Sequence, residues 1–118
     1  MSTMNTAAEQ AGDGTRPYVV TVDFVIKPEF LSEFMNLIAE NAKASVTLEE
    51  HCFRFDVLTP ISSEANKVFL YEIYASQAAF KNHLNTQHYK KFDEATAHMV
   101  ISKSPNAFVL DEHIKVHQ

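Results

Sequence analysis

The sequence predicts an α+β domain of the ferredoxin-like type, βαββαβ, with a four-stranded antiparallel sheet and helices on one face. Three observations carry this. Strand-like and helix-like segments alternate in that order between residues 18 and 114. The strands are rich in β-branched and aromatic residues. The two helical regions each follow a strand and carry apolar residues at helical spacing.

Residues 18–26, YVVTVDFVI, read as the first strand. Pro28 suits the first turn of a helix, and Phe30, Phe34, Leu37 and Ile38 keep helical phase, so a helix is predicted over 28–44. CFRFDVL, 52–58, is the second strand. Pro60, Ser62, Ser63 and Asn66 form a hairpin loop leading to a third strand at 67–74. Ser76 caps a helix to 84, and Thr86 caps a further helical piece to 101. Ser104-Pro105-Asn106 reads as a break before a last strand at 107–114. The small, polar residues 1–17 lack periodicity and read as a disordered tail. They contain no apolar segment of the kind a secretory signal needs.

Composition narrows the function. The net charge is −5, without a Lys/Arg cluster, so the electrostatic footprint of a nucleic-acid binder is missing. No stretch reaches the ~18 apolar residues of a membrane span. The single cysteine, Cys52, cannot form an intrachain disulfide and points to a reducing, cytoplasmic setting. Both glycines, Gly12 and Gly14, lie in the tail, which excludes a glycine-rich phosphate cradle. Neither CxxC nor HExxH occurs. The expectation is a protein without metal or organic cofactor.

Polar groups interrupt the apolar faces at a few places. Glu72 shares a strand face with Val68, Leu70 and Tyr74. His83 lies on the helical stripe of Phe80 and Leu84, and Asn41 continues the stripe of Phe34 and Leu37, with Ser45 one turn beyond. If Glu72 faces the helices, the three can meet between helices and sheet, with Glu72 paired to His83. Each also has a purely structural reading: a buried ion pair, a satisfied core histidine, a helix-ending asparagine. Strands three and four are apolar on both faces. Helices cover only one face, so a homodimer packed sheet to sheet is expected.

The segment Phe69-x-Tyr71-Glu72-x-Tyr74-x₄-Ala79-x₃-His83-x₄-His88-Tyr89, with the strand Cys52-Phe53-Arg54-Phe55-Asp56-Val57-Leu58, resembles the antibiotic biosynthesis monooxygenase domain family. The resemblance spans 18–110. It is nearest the quinol monooxygenase branch and the branch that processes a phosphorylated autoinducer dione. One departure is His51, which stands where the family usually has glycine. The resemblance implies a dimeric α+β barrel, a pocket between sheet and helices, and oxygenation of electron-rich phenols or quinols by O₂ without metal or flavin. On that reading His83, Glu72 and Asn41 are catalytic, and Tyr74, Arg54, His88 and Ser45 bind substrate. Two alternatives stand beside it: an isomerase of a small phosphorylated dione, with Arg54 and Lys43 toward the phosphate, and a non-catalytic dimeric binding module.

Overall fold

The computed structural model describes residues 16–62 and 66–112. Strand β1 (Tyr18–Ile26) is followed by a 3₁₀ turn (Pro28–Phe30) and helix α1 (Leu31–Leu48). Strands β2 (Cys52–Leu58) and β3 (Lys67–Tyr74) form a hairpin. Helices α2 (Gln77–Leu84) and α3 (Gln87–Thr96), a 3₁₀ turn (Ala97–Met99) and strand β4 (Val100–Val109) complete the fold. The sheet is antiparallel in the order β2-β3-β1-β4, the ferredoxin-like arrangement the sequence predicts.

The first three strands occupy the predicted residues. Ser76 and Thr86 cap α2 and α3, their hydroxyls accepting from the N–H groups of Ala79 and Tyr89. Two expectations are corrected. Helix α1 runs to Leu48 rather than 44, because neither proline nor glycine stops it. Ser104-Pro105-Asn106 is not a break but the middle of β4, which begins at Val100, in residues assigned by sequence to a helix and a turn. Pro105 pairs with Val22 on an edge strand, where alternate N–H groups face away from the ladder and a proline costs no strand bond. The expected tail (apart from Arg16 and Pro17), Ser63 of the hairpin loop and the end of the expected last strand lie outside the described residues.

The period of two in the strands sorts their side chains by face. Val20, Val22, Phe24 and Ile26 of β1, and Val68, Leu70, Glu72 and Tyr74 of β3, are all buried on the helical side. They pack against Phe34 and Ile38 of α1 and Phe92 of α3. Phe34 meets Phe24 and Phe92 edge-on, at ring-centroid distances of 5.1 and 5.6 Å. On the other face, Phe69, Tyr71 and Ile73 are only half-buried. No helix of the described residues is long and apolar enough to cross a membrane.

Candidate active site

Between the sheet and the helices lies a cavity of about 300 Å³. Its walls are largely apolar: Val20, Val22, Phe24 and Leu70 from the sheet, Phe55 from β2, Phe80, Leu84 and Phe92 from the helices. Five polar residues enter it, namely Asn41, Glu72, His83, Tyr89 and Lys103. An apolar cavity with a few convergent polar groups is the usual form of a small-molecule site. A larger hollow, about 440 Å³, lies elsewhere on the sheet, lined by Asp23, Val25, Leu58, Lys67, Phe69 and Ser102 among others, and no histidine of the described residues lines it.

Glu72 faces the helices, as the strand period requires, but it does not pair with His83. Its Oε1 accepts a 2.6 Å hydrogen bond from the hydroxyl of Tyr74, two residues along the same strand face. Burial pushes the Glu72 carboxyl up to about 7. The Tyr74 hydrogen bond and the Lys103 ammonium act against that rise, and the Glu49 charge adds to it. The same burial, with Glu72 alongside, raises Tyr74, so its phenol stays protonated. Tyr74 is fully buried and holds Glu72; it is not among the cavity-lining residues.

The partner of His83 is Glu49. The His83 Nδ1 lies 2.8 Å from Glu49 Oε2, and His88 Nε2 hydrogen-bonds the same oxygen. Both imidazoles therefore donate to one carboxylate oxygen, which fixes the His83 tautomer with its proton on Nδ1. Among the described residues Nε2 of His83 has no hydrogen-bond partner, and the ring lines the cavity. His83 is 2 % exposed, and burial lowers its pKa, Glu49 offsetting this only in part. The imidazole is thus neutral near pH 7, the form in which it can take a proton. Tyr74 and Tyr89 pack on it at ring-centroid distances of 5.3 and 5.2 Å.

Local sequence explains these positions. Ser76 starts α2 at a register that turns Ala79 and His83 inward, one turn apart. Thr86 restarts the helix so that His88 falls in the first turn of α3. Glu49 is the C-cap of α1, its N–H bonded to the Ser45 carbonyl at 3.1 Å. Asn41 projects from α1 into the cavity, where its Oδ1 is buried without a hydrogen-bond partner. A buried acceptor with nothing to accept from is costly.

The remaining expected residues fall elsewhere. Arg54 is exposed and paired with Asp56 at 2.7 Å; register with Ile73 puts it on the sheet face away from the cavity. Ser45 is fully buried and donates to the Asn41 carbonyl at 2.7 Å, so it serves the helix and not a ligand. Lys43 is exposed on α1. His88 reaches Glu49 and lines a separate surface cleft. Sequence reasoning missed Glu49 and Lys103. Lys103 stands 3.8 Å from Asp93 and about as far over the Phe24 ring (5.8 Å) as over the Tyr89 ring (5.9 Å). The signal for Glu49 was its place just before β2; for Lys103 it was masked by reading Pro105 as a stop. Cys52 is buried, and burial with the charges of Glu49 and Glu72 pushes its thiol up to about 12, so it is no nucleophile near pH 7. Glu49, His83 and His88 also form a possible metal donor set, their ligand atoms all within 4.8 Å of one another.

The sequence profile of antibiotic biosynthesis monooxygenases matches residues 17–95. Among solved structures, a protein of Bacteroides thetaiotaomicron provisionally assigned as an antibiotic biosynthesis monooxygenase is 30% identical. The match covers 86% of this chain and 96% of that one, with a TM-score of 0.76. A similarly assigned protein of Nitrosomonas europaea is 22% identical over 79% of this chain and 88% of its own, at a TM-score of 0.75. A conserved protein of Methanosarcina mazei Go1 is 19% identical over 80% and 93%, at 0.73. The last two share the fold. No curated protein matches the chain.

Proposed function

This chain belongs to the antibiotic biosynthesis monooxygenase family, and from that premise we propose that its inner cavity oxygenates a small electron-rich aromatic, a quinol or polyphenol, with O₂ and without a cofactor. One observation carries the reading: a buried His83, held through Nδ1 by Glu49, with its ring lining an apolar cavity and its pKa lowered by burial. That is a general base with an orienting carboxylate.

The chemistry follows from the substrate. His83 Nε2 takes the phenolic proton, and the electron-rich phenolate passes an electron to O₂. Recombination forms the C–O bond of a peroxide, and loss of water leaves a carbonyl. A hydroquinone plus O₂ thus becomes a hydroxyquinone plus water, with the substrate supplying the electrons. The Asn41 Oδ1 supplies a ready acceptor for a second substrate hydroxyl, which relieves its unpaired burial. Lys103, at the cavity wall, supplies positive charge toward a developing oxyanion. The apolar wall keeps water from the phenolate and the peroxide.

The isomerase reading is weaker here. Its phosphate ligands were to be Arg54 and Lys43, and neither lines the cavity. A non-catalytic binding module leaves the oriented base without a use. In this reading the protein works in the cytoplasm as a homodimer, joined through the half-buried face of Phe69, Tyr71 and Ile73. The test is O₂ uptake with a panel of quinols and polyphenols, wild type against His83→Ala. Substrate-dependent uptake that falls on the order of 10²-fold or more in the variant supports the reading. Uptake that is no faster with protein than without it, across the panel, rejects it.

A further inference from the structure

Glu49 stands in an unfavourable place for a carboxylate. It caps the C-terminus of the 18-residue helix α1, the negative end of the helix dipole, and the last turn holds no lysine, arginine or histidine to balance it. Its charge is felt inside the fold, by Glu72 and by Cys52. The groups that reach its carboxylate are two imidazoles from two further elements, His83 of α2 and His88 of α3. All three donor atoms lie within 4.8 Å of one another.

We propose that Glu49, His83 and His88 form a binding site for one borderline divalent transition ion, Zn²⁺ being the type. Two imidazoles and one carboxylate select such ions over Mg²⁺ and Ca²⁺, which prefer oxygen alone. Three protein ligands leave a tetrahedral Zn²⁺ a fourth position for water. Tetrahedral ligands at ordinary zinc distances sit about 3.3 Å apart, so the 2.8 Å His83–Glu49 pair opens by about half an ångström. The ion replaces two hydrogen-bond protons at a carboxylate that no basic residue in the last turn of its own helix balances. Access is from the surface: His88 lines a cleft of about 230 Å³, with Glu40 and Lys91 also in its wall.

The consequence, which rests on the base role given to His83, is a switch in hydrogen-bonding character. With the ion on Nδ1, the one proton of the neutral ring moves to Nε2, the nitrogen that faces the cavity. His88, bound through Nε2, carries its ring proton on Nδ1 in the same way. His83 then presents a donor where it had a lone pair, and it can no longer accept the substrate proton. The cluster is an inhibitory site that works from behind the catalytic ring.

The test begins with chelator-treated protein titrated with Zn²⁺ by calorimetry, and with Co²⁺ by visible absorption. The expected result is about one ion per chain, with the intense bands of tetrahedral Co²⁺. Glu49→Ala and His88→Gln should each weaken uptake by at least the roughly 10- to 100-fold that losing an outer-sphere partner costs. Glu72→Gln should leave it unchanged. His88→Gln, at a half-buried position, keeps the proposal testable if Glu49→Ala does not fold. No uptake by the wild type, or uptake in both ligand variants equal to that of the wild type, overturns the site. Zn²⁺ should also abolish quinol-dependent O₂ uptake. Binding at the cluster with uptake untouched keeps the site and removes His83 from the base role. His83-dependent uptake in a protein that binds no Zn²⁺ keeps the base and removes the site.

Discussion

A buried carboxylate, Glu72, and a partly buried one, Glu49, meet different partners and so do different work. Glu72 stands in the middle of a strand and takes one neutral donor, the Tyr74 hydroxyl, from its own strand face. Burial dominates, and its proton is held up to about pH 7. Glu49 stands at a helix end and takes two imidazoles, from residues 34 and 39 positions away. The first carboxylate is defined by its strand; the second is defined by tertiary packing. The comparison teaches that the carboxylate announced by the sequence pattern is not the one that holds His83.

The sharpest way to break this comparison is to remove the base and each carboxylate in turn. His83→Ala should lower quinol-dependent turnover on the order of 10²-fold or more, the scale of a lost general base. Glu49→Ala should follow it in kcat, and His83→Ala/Glu49→Ala should be little worse than His83→Ala alone, since the two act as a unit. Glu72→Gln should not share that non-additivity. If the cycle couples His83 to Glu72 instead of Glu49, the assignment of partners is wrong.

Next comes stability. The folded protein holds the Glu72 proton until about pH 7, whereas an unfolded glutamate releases it near 4.5. Between those values the native state binds more protons than the unfolded one, so the Glu72 contribution to stability falls as pH rises from 4.5 to 7 and is flat outside that window. The loss is on the order of 3 kcal/mol. Glu72→Gln, which can still accept from Tyr74, should remove this slope and be the more stable protein at pH 8. Urea unfolding at pH 5, 6, 7 and 8 measures it. Parallel curves for wild type and variant would show that the Glu72 proton is not held.

A smaller effect is expected at Tyr74→Phe. It strips the buried Glu72 carboxyl of its donor and should cost about 1–3 kcal/mol in denaturant unfolding. It should also extend the pH window just described to higher pH, because the lost hydrogen bond favours the charged form. The smallest belongs to Arg54→Ala. That pair with Asp56 is exposed on the far face of the sheet. Stability should change by less than about 0.5 kcal/mol, with turnover unaltered. A tenfold drop in turnover would return Arg54 to the site.

The legible parts of this molecule were those written in local periods. Alternation placed Glu72 on the inner face, helical spacing placed His83 and Asn41 at the cavity, and the hydroxyl caps set α2 and α3. The Glu49 pairing was not legible, because no local period links residue 49 to residues 83 and 88; it arises when the end of α1 docks beside the end of α2 and the start of α3. Lys103 was lost for a different reason. Pro105 reads as a breaker until the sheet order shows that it lies on an edge strand, where its missing N–H is harmless. Ser45 and Tyr74 were placed correctly in the interior but given to a ligand, although each is spent on a neighbour one turn or two residues away.

Strand β4 supplies Lys103 and Pro105 to the cavity, and it pairs with β1, whose residues precede it by some eighty positions. On a ribosome the segments emerge in chain order. Helices α1, α2 and α3 and the β2-β3 hairpin are all synthesised before the wall that Lys103 and Pro105 complete. Until β4 docks, β1 has an open edge and the chamber behind it is a trough open to water. A partly made chain therefore holds His83 and Glu49 but no dry compartment, and it acquires both closure and its last charged group in a single late pairing event.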